Sequence, residues 1–209
     1  MNAHNMNANT PMLFRTYQSR ETHLDCKIWE AARATSAAPA FFKRIEIGRE
    51  QPFIDGGLGR NNNPSRLVLE ESKRLFGSRQ IGLLLSIGTG MAKTISIPRP
   101  GIFQRAVPTN VVDAVKQIAT DCEATHDTME DLFANFPNTY FRLNVDHGMQ
   151  DTKFSEWEKL SKVEAHTTQY MNRTEVDAKL GLLVNVIRVP RGRISIDRLS
   201  TPNLSYKFE

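Results

Sequence analysis

The chain has 209 residues, 40% of them apolar and 24% charged, with a formal net charge of +4. That length suits one domain with a sizeable core, the composition is ordinary for a globular protein, and no run approaches the roughly 18 apolar residues of a membrane-spanning helix. The mild charge, spread among nearly as many acids, does not argue for nucleic acid, and Cys26 and Cys122 lack metal-ligand spacing and read as reduced thiols.

Taken in chain order, residues 1–11 (MNAHNMNANTP) have neither the basic cluster nor the apolar stretch of a secretory signal and read as a frayed, disordered leader. PMLFRTY predicts a short strand. CKIWEAARATSAAPAFF predicts a helix with a thin face of Ala31, Ala32, Ala34, Ala37 and Ala38, ended by Pro39. QPFID predicts a strand that ends at Asp55. Asn63 reads as an N-cap and Pro64 as the first residue of a helix through SRLVLEESKRLF, stopped by Gly77. IGLLLSIGTG is an unbroken apolar run and predicts a strand buried on both faces. Residues 52–90 then make one strand–helix–strand crossover between parallel strands.

Residues 91–108 predict an exposed loop and 110–136 a long helix ended by Pro137. TYFRLNV alternates as a half-buried strand. Ser155 with Glu158, and Thr174 with Asp177, have the spacing of capping boxes before two further helices. The expected class is α/β, a mostly parallel sheet flanked by helices, over residues 12–190, with residues 191–209 a C-terminal tail.

Ligands of open α/β sheets gather at the carboxyl ends of the strands. Asp55, Gly56 and Gly57 close one predicted strand and Gly88–Gly90 close its neighbour. A carboxylate so placed can orient or deprotonate a nucleophile, and the glycines of the second corner admit a substrate. D-G-G also builds an Asx-turn with no chemistry attached, and spacing alone leaves both readings open.

In this order, ARATSAAPAFF, FIDGGLGRNNNPSRLVLEE and LLLSIGTG resemble the patatin-like phospholipases, especially their fungal members, and YFRLNVDHGMQD with EWEKLSKVEAHTTQYM extends the resemblance. It implies a partial three-layer domain and an acyl hydrolase of membrane or storage lipids that works through a serine–aspartate dyad. The family's aspartate falls on Asp55, in the motif Asp55, Gly56 and Gly57, as the base of the dyad. No cofactor and no metal are implied. The implied partner is a phospholipid or other acyl lipid, reached by peripheral membrane contact from a cytoplasmic location, and no nucleic acid.

The family's nucleophile belongs to a G-x-S-x-G elbow, and that motif occurs nowhere in these residues. The chain therefore reads as the C-terminal part of such a domain without its nucleophile half. Ser36, in ATSAA, lacks a preceding buried strand and reads as a packing serine; Ser86 sits inside an apolar strand without elbow flanks. His23, His126, His147 and His166 read as surface histidines. Glu123 and His126 form a single Glu-x-x-His, where a di-metal bundle needs two, so they read as part of a solvated acidic face with Asp127 and Glu130. Arg188, Arg191 and Arg193 read as a solvated helix end. The competing function is a non-catalytic lipid- or partner-binding remnant.

Overall fold

The structure is a computed structural model and describes residues 2–8, 10–18, 24–39, 41–57, 60–91, 122–150, 152, 156–189 and 191–199. These fall into two compact units, one within Met1–Asn62 and Pro100–Cys122 and the other within Asn63–Arg99 and Glu123–Glu209.

The first unit is a four-stranded sheet with one helix. Its strands are β1 (Asn2–Asn5), β2 (Thr10–Leu13), β3 (Ile45–Ile47) and β4 (Gln51–Asp55), in the order β2-β1-β4-β3 and antiparallel throughout. Helix α1 (Ile28–Thr35) lays Ala31 and Ala34 against the sheet. Ala3, Ala34, Ile47 and Phe53 form the core, and Phe14 tilts against Phe53 with ring centroids 5.7 Å apart.

The expected frayed leader is instead an ordered hairpin, and β1 is an interior strand. Two local causes are visible. Asn5 turns the chain with its own side chain, its Oδ1 accepting the N–H of Asn7 at 3.0 Å and of Ala8 at 3.1 Å. Ala3 is small enough to pass between α1 and the sheet core and is fully buried there.

The second unit carries α2 (Ser65–Phe76), β5 (Gln80–Ile81), β6 (Leu84–Ile87), α3 (Glu123–Phe133), β7 (Tyr140–Leu143), α4 (Leu160–Met171), α5 (Thr174–Arg188) and β8 (Ile194–Ser195). β6 pairs with β7 in parallel, Ser86 opposite Arg142, and β5 pairs with β8 antiparallel. Leu69, Met129, Phe133, Ile194 and Leu199 make one apolar core; Phe141, Leu183 and Val186 make another.

The class is α/β, but among the described strand pairs only β6–β7 is parallel. Residues 52–90 do not form a parallel crossover between sheet neighbours. Both edges of β4 are taken, by β1 and β3, so the sheet has no slot beside it for β6. Nor is β6 buried on both faces: Ser86 points inward while Leu85 and Ile87 are 36% and 71% exposed. The expected tail is folded in as far as Leu199. Arg193 N–H donates to the Ile81 carbonyl at 2.9 Å and Ile196 N–H to Arg79 at 3.1 Å, and Ile194, Ile196 and Leu199 are buried.

Helix boundaries show which end signals were used. Pro64, expected as the first helical residue, is the N-cap of α2 and gives no side-chain cap; Asn63, expected as the cap, stands one residue earlier and its Oδ1 accepts the Ser65 N–H at 3.2 Å, while Gly77 ends the helix at a φ of +52°. Thr174 is the first residue of α5 and gives no side-chain cap; the Asp177 N–H goes to the Arg173 carbonyl at 2.8 Å. A single 3-10 turn, Trp157–Lys159, leads into α4. Ser155, and the part of the expected long helix before Cys122, lie outside the described residues.

Phe53 has no exposure and pairs with Asn5 on one side and Ile45 on the other. Phe53→Ala should therefore cost about 3–5 kcal/mol, seen as a lowered urea midpoint, with Phe53→Leu costing much less.

Candidate functional site

Asp55 is the last residue of β4 and is half-buried. Three bonds fix it. It pairs in register with Ala3, its N–H donates to the Ala37 carbonyl at 3.1 Å, and its Oδ1 accepts the Gly57 N–H at 2.9 Å. The last is an Asx-turn, so the carboxylate holds its own corner. The two glycines have different causes. A Cβ at Gly56 would lie 1.6 Å from Asn2 Oδ1 and 3.1 Å from the Asn2 carbonyl oxygen, so any other residue has to displace the Asn2 side chain and crowd the backbone of β1. A Cβ at Gly57 would meet the Asp55 oxygens at 3.4 Å, an ordinary contact. Gly57 matters through its N–H, and its Asp55 bond leaves the second carboxylate oxygen available for other partners.

The corner at 88–90 belongs to the second unit and is occupied by the protein's own side chains, not left open for a substrate. Gly88 N–H donates to the Leu143 carbonyl at 2.8 Å and Gly90, at a φ of +115°, donates to Asn144 Oδ1 at 2.8 Å. A Cβ at Gly88 would fall 2.3 Å from Asn144 Oδ1 and 2.9 Å from Arg142 Nη2.

Those two side chains head a polar network that sequence reasoning missed. Arg142 is buried in β7. It donates through Nη1 to Ser86 Oγ and through Nη2 to Glu123 Oε1, each at 2.9 Å. Asn144 Nδ2 donates to the same carboxylate oxygen at 2.9 Å. Ser86 Oγ reaches Asn63 Oδ1 at 3.3 Å, which links β6 to the start of α2. Glu123 starts α3, where a carboxylate also suits the helix dipole. It is therefore committed to Arg142 and not part of a solvated face, while Asp127 and Glu130 are exposed. The one signal in the sequence was a charged residue inside an otherwise apolar strand.

Beside this network lies a cavity of about 520 Å³ whose walls include Glu123, His126, Asp146, Tyr170, Glu175 and Lys179. Its charges are mixed and partly spoken for. Lys179 Nζ donates to the Arg142 carbonyl at 3.3 Å, and His126 Nδ1 lies 3.2 Å from the Tyr140 hydroxyl, whose phenol burial pushes up. Arg173 holds Asp146 at 2.6 Å and keeps its carboxyl below the usual carboxylate range. No grouping of three His, Cys, Asp or Glu suited to a metal occurs among the described residues.

The remaining candidates are dispersed. Ser36 follows α1 and donates to the Ala32 carbonyl at 2.8 Å; Ser86 is buried in the Arg142 network. His147 is exposed and His166 packs on Gly148, while His23 lies outside the described residues. Arg188, Arg191 and Arg193 are exposed.

Arg142→Ala should cost about 3–5 kcal/mol by taking from Glu123 the cation that balances its charge, and Glu123→Gln should recover part of that loss in chemical denaturation. The depressed Asp146 carboxyl adds stability that is complete above its unfolded value, near 3.8, and is lost as pH falls through the lower folded value. Asp146→Asn should flatten the acid limb of a melting-temperature profile below about pH 4 and leave neutral pH dependence unchanged.

Residues 1–69 match the family described as patatin-like phospholipase. The chain is 33% identical over 154 residues to calcium-independent phospholipase A2-gamma of Homo sapiens, a match covering 73% of this chain and 19% of that protein. The protein of the same name from Oryctolagus cuniculus is 33% identical over 150 residues, 71% of this chain and 18% of its own. Patatin-like phospholipase 1 of Plasmodium falciparum is 31% identical over 138 residues, 57% of this chain and 20% of its own. The chain thus spans about a fifth of the length of the curated relatives it matches. No solved structure matches it. With the Asp55 corner inside the matched segment, the chain belongs to the patatin-like phospholipase family.

Proposed function

We propose that this chain carries the carboxylate half of a lipid acyl hydrolase, with Asp55 as the base of a serine–aspartate dyad whose serine these residues do not contain. The observation that carries the reading is the Asp55 corner: a carboxylate at the end of an interior strand, aimed by the Gly57 N–H at 2.9 Å, within the family-matched segment. A carboxylate is a poor base for an alcohol in water, so the pairing needs a close contact and a dry site. The serine Oγ attacks the ester carbonyl as its proton passes to Asp55. Collapse of the adduct returns that proton to the departing alcohol and leaves an acyl-serine; water then attacks the acyl carbon as Asp55 takes its proton, and Asp55 gives that proton to the departing serine oxygen as the fatty acid is released. Completion of the mostly parallel, helix-flanked sheet by further segments is part of the same proposal. No helix among the described residues is long and apolar enough to cross a membrane, and access to lipid is proposed to be peripheral.

A second reading, a lipid- or partner-binding module without turnover, draws on the same hydrogen bond, because an Asx-turn gives Asp55 a structural role complete in itself.

Asparagine separates the two. Asp55→Asn keeps an oxygen acceptor for Gly57, so thermal stability should be unchanged, whereas Asp55→Ala should lose about 1 kcal/mol. The chain alone should not hydrolyse phospholipid or p-nitrophenyl esters. Supplied with a family segment bearing G-x-S-x-G, it should turn over, and Asp55→Asn should then lower kcat by about 10²- to 10⁴-fold. Turnover indifferent to that substitution would remove Asp55 as base.

A further inference from the structure

Helix α1 is built inside out. Its small residues, Ala31 and Ala34, face the sheet, while Ile28 is 86% and Trp29 59% exposed. A helix that needs only to cover a core puts its large apolar residues inward. Ala37 and Ala38 then carry the chain into a turn, where the N–H groups of Phe41 and Phe42 both donate to the Ala38 carbonyl, at 3.1 and 2.9 Å. This turn raises two aromatic rings, 53% and 52% exposed.

The helix and the turn are one surface because Arg33 joins them. Arg33 lies one helical turn beyond Trp29, on the same stripe. Its guanidinium stacks 5.7 Å from the Phe42 centroid, and its Nη2 donates to the Lys43 carbonyl. Around the four apolar side chains stand Lys27, Lys43 and Arg44, all exposed. The acids of the same stretch are Asp25, Glu30 and Glu46. Glu30 is committed to the Lys27 N–H at 2.7 Å and Glu46 to Arg44 at 3.2 Å. Glu30 and Asp25 keep their charges beside Lys27, so the cations exceed the acids of this stretch by one, and Lys43, whose side chain is exposed, is the cation at the aromatic end of the patch.

We infer that the outer face of α1 and the turn at 41–44 form a docking surface for a phospholipid bilayer. Ile28, Trp29, Phe41 and Phe42 enter the boundary between headgroups and acyl chains, and Lys27 and Lys43 meet lipid phosphates. Tryptophan and phenylalanine beside lysine is the side-chain chemistry of that boundary, where each residue keeps its apolar body in lipid and its polar tip in water. The inference deepens the lipid-directed reading above by naming the surface that reaches the lipid.

The chain has two tryptophans, so Trp157→Phe leaves Trp29 as the sole emitter. In that background, vesicles of phosphatidylcholine with phosphatidylserine should shift Trp29 emission to the blue, brominated lipid should quench it, and the protein should co-sediment. Trp29→Ala with Phe42→Ser should weaken partitioning at least about tenfold. Lys27→Glu with Lys43→Glu should abolish the gain from phosphatidylserine, about fivefold per lysine at low salt. All four positions are exposed, so unchanged circular-dichroism melts should confirm folding. Equal partitioning of wild type and variants would overturn the inference, as would a blue shift that needs no vesicles and grows with protein concentration, which would assign the face to a second copy. Asp55→Asn should bind vesicles as wild type does. Binding without turnover in the completed enzyme removes the hydrolase and leaves the surface; turnover of a soluble ester without vesicle binding removes the surface and leaves the hydrolase.

Discussion

The hydrogen bond from the Gly57 N–H to Asp55 Oδ1 is the contact on which the functional reading depends. The turn is local, and β4 sets where it stands in the fold. β1 and β3 pair with β4 on its two sides, and the Ala37 carbonyl takes the Asp55 N–H. A strand held in this way has little freedom at its end, so the sheet fixes the position of Asp55 and the Gly57 N–H fixes the direction of its carboxylate. Gly56 completes the arrangement by letting Asn2 lie against the corner. Preorganisation of this kind is what a weak base requires, and a tight turn acquires it at no additional structural expense.

In the second unit the comparable role falls to Arg142. A buried guanidinium must be surrounded by acceptors or the fold loses several kcal/mol, and here Ser86 and Glu123 supply them from β6 and α3. The parallel pair β6–β7, short for an independent sheet, is thereby tied to helices at both ends of the network. The cavity beside it inherits its polar walls from this requirement.

How much of this could be read in advance follows from the range over which each signal acts. The start of α2 near Asn63 and Pro64, the stop at Gly77 and the strand Tyr140–Leu143 are local, set by side chains a few residues apart, and stood out in the sequence to within a residue or two. β1 did not, because nothing in MNAHN is strand-like alone; it becomes a strand by pairing with Thr10–Leu13 and with Phe53–Asp55, the latter some fifty residues away. Thr174 had the spacing of a cap but was drawn one position into the helix, where its hydroxyl has no orphan N–H to meet. The Asp55 motif was legible as a pattern. The Arg142 network was not, because it joins four segments, and one arginine in an apolar strand does not say which of them will supply its partners.

Gly88 carries the network's tightest tolerance. The space a single methyl would need is already taken by Asn144 and Arg142, and Asn144 also receives Gly90 and donates to Glu123. A change at any one of these positions has to be answered at the others at once, so the corner will drift through descent as a block. Variation among descendants should therefore gather on the outer faces of the helices and pass this small set by.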